Sequence, residues 1–112
     1  MSPTDPGFEV VSLGGAREVS LPFKRALTNG ELSSSSCRVQ GFEVYAPRGT
    51  KLSPEQELSI QEAILDVVKE EAREHSTVNG LRSWLDSGNG SIIRLNGRNV
   101  FWKKSSLCVS PL

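Results

Sequence analysis

The fold is decided by residues 53–75, which read SPEQELSIQEAILDVVKEEAREH. Neither Gly nor Pro interrupts this stretch after Pro54. Ser53 can accept a hydrogen bond from a first-turn N–H group, and Pro54 suits the first helical position because its missing N–H would have no partner there. Gln56 can accept a bond from the Ser53 N–H, which completes a capping box. The pattern predicts one long helix that begins after Ser53 and runs to His75.

Apolar residues recur along this helix at the spacing of an amphipathic face. The central stripe and its margins consist of Ile60, Ile64, Val67, Val68, Leu58, Ala63, Leu65 and Ala72. This arc is wider than the ~100° typical of a helix lying on one surface. We therefore expect a sheet against one flank and other segments against the next. Gln61 interrupts the arc; it lies at the edge of the buried face, which we favour, or is bonded to a strand end.

The residues before the helix alternate in the manner of β-strands. Residues 8–13 and 16–21 flank Gly14-Gly15, and this pair of glycines predicts a two-residue hairpin. Residues 37–45 alternate again, around Gly41, which predicts a bulge or a turn. These segments supply three of the predicted strands.

Residues 23–36 allow more than one assignment. Residues 24–27 are a candidate short strand, and Asn29-Gly30 predicts a turn. The run Ser33-Ser34-Ser35-Ser36 is typical of a solvated surface loop.

The residues after the long helix predict a short helix and then a hairpin. Leu81, Trp84 and Leu85 recur at helical spacing, which favours a short helix ending near Asp86. Asn96-Gly97 predicts a type I′ turn in the hairpin that follows. In that register, one face carries Ile93, Leu95, Val100 and Trp102, and the other carries Ile92, Arg94, Asn99 and Phe101. Because both faces are apolar at the base, we expect the base to be buried on both sides and the basic tip to be free.

Together these elements predict an α+β fold. Its antiparallel sheet has about five strands, with one long amphipathic helix packed across it and a short second helix before the C-terminal hairpin. A length of 112 residues is typical of one domain. We therefore predict a flexible tail over residues 1–7, which are rich in Pro, Ser, Thr and Gly, and a single domain over residues 8–112.

Composition narrows the class of protein. A formal net charge of zero argues against a general nucleic-acid binder, although a local basic patch remains compatible with it. No apolar run approaches the ~18 residues of a membrane span, and residues 1–7 lack the features of a signal peptide. Cys37 and Cys108 are too few for a secreted disulfide scaffold. We expect both to be free in a cytoplasmic protein; a Cys37–Cys108 bridge is the alternative.

No residues form a recognisable catalytic, metal-binding or cofactor-binding pattern. His75 is the only histidine, and the end of a helix is where a cation suits the helix dipole. Gly14-Gly15 lacks the following helix that a phosphate-binding loop needs. Most carboxylates lie on the polar face of the long helix, where paired acid–base chemistry is not expected. We therefore predict no enzymatic activity, no metal and no cofactor.

Charge is divided unevenly along the chain. Residues 53–75 carry a balance of −5, whereas residues 76–112 carry +4. The candidate partner-binding residues in the basic C-terminal part are Arg94, Arg98, Trp102, Lys103 and Lys104. Trp and Arg are the residue types that most often carry binding energy at interfaces. A solvated surface without a partner is the alternative for this basic tip.

Three functional classes remain open. We expect a small non-enzymatic protein-binding module of the inhibitor, immunity or adaptor type, whose partner is another protein with acidic character. The alternative is a nucleic-acid-binding domain that uses the basic hairpin, with Trp102 as a stacking surface. The third class is an enzyme or sensor with a small-molecule pocket between helix and sheet.

Overall fold

The computed structural model describes residues 7–24, 32–88 and 90–112. These residues form an α+β fold whose elements are, in chain order, β1 (Phe8–Ser12), β2 (Arg17–Lys24), β3 (Leu32–Gln40), β4 (Glu43–Pro47), α1 (Pro54–Ala72), α2 (Val78–Asp86), β5 (Ser91–Leu95), β6 (Arg98–Trp102), a 3-10 turn (Lys104–Ser106) and β7 (Cys108–Pro111). The predicted class is confirmed. The seven strands of the described residues exceed the five expected.

These strands form two antiparallel sheets instead of one. The first sheet has the order β1-β4-β6-β5, and the second has the order β2-β3-β7. The chain crosses between them three times, within residues 13–16, 41–42 and 103–107. The β4–β3 segment is central: β1–β2 pairs with one edge of it and β6–β7 with the other, so the two sheets are halves of one ribbon. We call the three crossings the bend line.

The bend line is tightest at Gly41. This residue has a φ of +86°, in the left-handed region that favours glycine. A Cβ at this position would collide with the carbonyl oxygen of Ser106. The Ser106 hydroxyl also lies within hydrogen-bond distance of two carbonyl oxygens, those of Gly41 and Lys103, each at 2.8 Å. The close approach of these two crossings therefore requires a residue without a side chain.

The predicted hairpin at Gly14-Gly15 is wrong. β1 pairs with β4, so that Val10 opposes Tyr45, and β2 pairs with β3 in the other sheet. The physical reason lies at Leu13, whose side chain is buried and whose N–H donates to the Phe42 carbonyl oxygen at 2.8 Å. These contacts carry the chain across the bend line instead of reversing it.

The predicted loop at residues 33–36 is also wrong, because all four serines belong to β3. Ser33 and Ser35 oppose Phe23 and Leu21 on the inner face, and the other two are exposed. The long ladder with β2 supplies the backbone hydrogen bonds that make a strand of a sequence with low β-propensity.

Some expectations lie outside the described residues. They are the tail over residues 1–6, the candidate strand beyond Lys24 and the turn at Asn29-Gly30. Gly7 is described, and its carbonyl oxygen accepts a hydrogen bond from the Arg48 N–H at 2.8 Å. A single domain over residues 8–112 stays a prediction.

The beginning of α1 is as predicted, but its end is not. The Gln56 N–H donates to the Ser53 hydroxyl oxygen at 3.2 Å, and the Ser53 N–H donates to Gln56 Oε1 at 2.9 Å. The helix ends at Ala72, three residues before His75. His75 instead links the helix end to β2, because its carbonyl oxygen accepts a hydrogen bond from the Lys24 N–H at 2.6 Å.

The core lies on the concave side of the bend. α1 contacts β2 of the second sheet and β5 of the first, as expected for a helix clasped on two flanks, and α2 covers β7 and the 3-10 turn. The buried residues of α1 are Ile60, Gln61, Ile64, Leu65, Val68 and Ala72.

The favoured placement of Gln61 at the edge of the buried face is wrong. Its side chain is buried, and its Oε1 lies 3.4 Å from Nη1 of Arg17, the first residue of β2.

The register of the C-terminal hairpin is confirmed, with Asn96 and Gly97 at φ values of +51° and +77°. The expectation that its base is buried on both sides is wrong. Ile93 and Trp102 are buried on the face toward α1, whereas Ile92 on the other face is 57% exposed. One side of the first sheet is therefore open.

We predict that Gly41→Ala destabilises the fold far more than Gly49→Ala. The two glycines have φ values of +86° and +85°, but nothing lies within 4 Å of a Cβ at Gly49. Gly49→Ala should cost only the ~1–2 kcal/mol of a left-handed backbone, and the collision at Gly41 should add ~2 kcal/mol. Urea denaturation of both variants measures the difference. Equal losses would show that the bend does not depend on Gly41.

Candidate functional site

The structure separates the five residues predicted to bind a partner. Arg94 lies on the open side of the first sheet, whereas Arg98 lies on the other side of the hairpin, beside α1. Lys103 forms an ion pair with Glu43 at 3.2 Å. The ammonium nitrogen of Lys104 lies 4.5 Å from the ring centroid of Trp84 in α2. These side chains do not form one basic patch.

Trp102 is the fifth residue, and the prediction that it contributes to a partner surface is wrong. Its exposed fraction is 0%. It opposes Ser91 on β5 and Val44 on β4, so it belongs to the inner face of the sheet. Its indole Nε1–H is buried without a hydrogen-bond partner among the described residues. The side chain therefore serves packing and is not available for stacking.

The open face of the first sheet carries a row of apolar side chains instead. Val10 opposes Tyr45, and Ile92 opposes Phe101. Because Val44 opposes Trp102, the register also places Tyr45 beside Phe101, and their ring centroids are 5.4 Å apart. One residue from each of the four strands thus lies in a single line across the sheet. We call Val10, Tyr45, Phe101 and Ile92 the apolar row.

The two ends of the apolar row are well exposed. The exposed fraction is 43% for Val10 and 57% for Ile92, and the two aromatic rings between them are half-buried. A single exposed apolar residue is normal on any protein. Here two exposed and two half-buried apolar side chains lie in register and form a continuous patch, and contiguous apolar patches are a feature of interaction sites. The sequence alone did not reveal this row, because apolar residues on both faces of the hairpin base predicted burial on both sides.

Charged side chains lie on both sides of the row. On one side, Glu43 on β4 and Lys103 following β6 form a cross-strand ion pair. On the other side, Arg94 on β5 is exposed and opposes Asn99. Arg94 makes no ion pair with the residues that the structure describes. The open face therefore presents an apolar centre, a balanced pair of charges and one cation.

A cleft of about 580 Å³ lies on the opposite side of the hairpin, between β5–β6 and the first turns of α1. It is lined by Leu52, Glu55, Gln56, Ser59, Ile60, Leu95, Asn96, Arg98 and Val100. This is the position expected for a pocket between helix and sheet. Its lining offers one carboxylate and one guanidinium but no histidine, cysteine or second carboxylate. The residues needed for paired acid–base catalysis do not meet there.

The other reactive side chains are dispersed. Nε2 of His75 lies 3.3 Å from a carboxylate oxygen of Glu71, on the preceding helical turn. Cys37 and Cys108 are both free, as predicted. Cys37 is buried and Cys108 is exposed. Burial raises the pKa of the Cys37 thiol above its ordinary value, and the nearby Arg82 guanidinium opposes that shift in part.

Neither a metal-binding cluster nor a resemblance to a known protein gives a further indication of function. Within residues 7–24, 32–88 and 90–112, no group of three or more His, Cys, Asp or Glu side chains could hold a metal ion. None of the helices there is both long enough and apolar enough to cross a membrane. No protein-family model, no curated protein and no solved structure matches this chain.

We predict that one thiol of the native protein reacts rapidly with Ellman's reagent and the other does not. Cys108 is exposed, whereas Cys37 is buried and has a raised pKa, so less of it is thiolate at any given pH. Denaturation should release a second equivalent. Cys108→Ser should abolish the rapid phase, and Cys37→Ser should keep it. The reverse pattern would contradict the assigned positions.

Proposed function

We propose that this protein is a small non-enzymatic module that binds another protein through the open face of its first sheet. The observation that carries the proposal is the apolar row, which crosses all four strands on the side of the sheet away from the core. A module of this kind acts as an inhibitor, an immunity protein or an adaptor. The two free cysteines support a reducing location such as the cytoplasm.

The composition of the row suits a binding surface. Tyr and Phe are enriched in the centres of interfaces because they bury a large area at a small cost in side-chain entropy. Tyr45 and Phe101 occupy the centre of the row, and the aliphatic side chains lie at its ends. Full burial of an exposed aliphatic side chain contributes roughly 1.5–3 kcal/mol. Because Val10 is 43% and Ile92 57% exposed, a partner that covered the row would gain about half of this contribution from each.

The size of the face limits the strength of the interaction. Four strands at ~4.8 Å spacing, each about five residues long at ~3.3 Å per residue, cover an area of roughly 19 by 17 Å. Stable interfaces bury ~800 Å² on each partner. The open face alone is smaller, so the proposed interaction is transient or extends beyond the sheet.

The charges around the row favour a partner with acidic side chains. Arg94 is exposed beside the row and is free of ion pairs within the described part of the chain. Rim charges of this kind mainly increase the association rate and the specificity. Arg98 lies on the other side of the hairpin, so it should contribute less than Arg94. Among the described residues, the open face therefore has an apolar row with one unpaired basic residue, Arg94, beside it, and not one basic tip.

We predict that Ile92→Glu weakens partner binding at least tenfold and leaves the fold intact. Ile92 is 57% exposed, so the added carboxylate stays solvated until a partner covers it. The matched control is Ser34→Glu, which places the same charge on an exposed strand residue of the second sheet. The partner is first captured from native lysate on immobilised protein and identified by mass spectrometry. Its affinity for each purified variant is then measured by calorimetry.

If Ile92→Glu and the unmodified protein bound the partner with equal affinity, the open face would not be the binding surface. Arg94→Glu and Arg98→Glu extend the same comparison. The proposal expects the first of these changes to slow association more than the second. A larger effect of Arg98→Glu would instead direct attention to the cleft beside α1.

Nucleic-acid binding is the second candidate, and one observation favours it. Tyr45 and Phe101 lie side by side on an open antiparallel sheet, an arrangement on which single-stranded bases can stack. The electrostatics of the face argue against it. Arg94 and Lys103 are the cations beside the row, and Lys103 is already paired with Glu43. Few phosphates could be neutralised there, and neutralised phosphates supply most of the affinity for nucleic acid.

We predict at best weak binding of unrelated single-stranded oligonucleotides at ~150 mM salt, with dissociation constants above the micromolar range. Fluorescence anisotropy of labelled oligonucleotides measures it. Any residual affinity should fall steeply with salt. Submicromolar binding that is lost in the double variant Arg94→Glu/Arg98→Glu would place nucleic acid ahead of protein as the partner.

A further inference from the structure

We infer that the partner best fitted by the open face is a second copy of this chain, docked face to face across a two-fold axis. The inference rests on the proposed function, because it uses the same surface. It goes further by naming the occupant and its orientation.

The first argument is the order of residue types along the apolar row. From β1 to β5, the row reads aliphatic, aromatic, aromatic, aliphatic, so it is the same in either direction. A two-fold axis parallel to the strands, between β4 and β6, places β1 of one copy over β5 of the other. Val10 then faces Ile92 of the second copy, and Tyr45 faces Phe101 of the second copy. The row is therefore complementary to itself.

The second argument is the charge pattern beside the row. The same rotation exchanges β4 and β6, so Glu43 of one copy faces Lys103 of the other, and this contact occurs twice. Within one chain these side chains are already paired at 3.2 Å. The two copies would thus bring together four charges of alternating sign. Complementary charges at matching positions are what fixes the register of an interface.

An alternative two-fold axis, perpendicular to the strands, lacks this match. It would place each strand over its own copy, so that Tyr45 meets Tyr45 and Phe101 meets Phe101. Glu43 on β4 would then lie over Pro47 on β4, and Lys103 would lie over the Asn99 end of β6. No pair of opposite charges would face each other. The charges therefore select the axis parallel to the strands.

The geometry of sheet packing is compatible with this dimer. Sheets that pack face to face are rotated by about 30° and lie ~10 Å apart, the distance filled by interdigitated side chains. This rotation displaces least the contacts at the centre of the face, which are those of Tyr45 and Phe101. The area of the face is below that of a stable dimer. The association should therefore be weak and depend on concentration.

The test exchanges the charges at Glu43 and Lys103 and measures self-association by sedimentation velocity. The protein concentration ranges from ~1 µM to ~1 mM, which spans the dissociation constants expected for weak association. The unmodified protein should shift toward the mass of a dimer as its concentration rises. Glu43→Lys alone and Lys103→Glu alone should each weaken self-association at least tenfold, since like charges then face each other. An equimolar mixture of these two variants should associate again, because each introduced charge meets an opposite charge of the other variant.

The chain offers a matched control for this exchange. Glu18 and Arg38 form a cross-strand ion pair at 3.5 Å on the exposed face of the second sheet. Glu18→Lys and Arg38→Glu change the same charges at a comparable position. Neither change should affect self-association.

The outcomes separate this inference from the proposed function. A protein that stays monomeric up to the highest concentration, or variants whose mixture does not associate, would overturn the dimer. If Ile92→Glu nevertheless abolishes binding of a different protein, the proposed function stands without it. If Ile92→Glu affects neither self-association nor the binding of another protein, both proposals fail.

Discussion

The close approach of Gly41 to the Ser106 carbonyl group is the constraint on which the rest of the structure depends. It brings two of the three chain crossings together, and the Leu13 N–H bonds the third to the Phe42 carbonyl group. One ribbon is thereby bent into two sheets with a concave side. α1 and α2 fill that side, and the core residues of both sheets point into it. Neither of the two helices in the described part of the chain lies on the convex side.

The two convex faces differ in a way that packing alone does not require. On the second sheet, the outward positions include Ser20, Ser34 and Ser36, together with the Glu18–Arg38 ion pair. On the first sheet, the corresponding positions carry the apolar row. Both faces are turned away from the core. The second sheet therefore shows which residue types this chain places on a solvated strand face, and most of them are polar or charged. The apolar row is a departure from that pattern, and the proposed partner would account for it by covering the row.

Locally determined features could be predicted from the sequence, and those set by distant pairing could not. Ser53 with Gln56, and Asn96 with Gly97, act within a few residues, so their geometry is contained in the segment itself. Strand pairing across the bend depends on Leu13 and on other contacts between distant segments. The same limit applied to the candidate site. Alternation along the hairpin assigned residues to faces, but only the bend determines which face is buried, and it placed Trp102 inside.

The uneven charge along the chain becomes a separation of charge in three dimensions. The acidic residues exposed on α1, which include Glu62, Asp66 and Glu70, lie on the far side of the first sheet from the open face. In the proposed dimer the two acidic helix faces would point away from each other, separated by two sheets and two helices. Each helix is ~10 Å across, and exposed charges more than ~8 Å apart are largely screened at physiological salt. The acidic side chains of the two α1 helices would therefore repel each other little in the proposed dimer. Arg94 would lie beside the dimer interface.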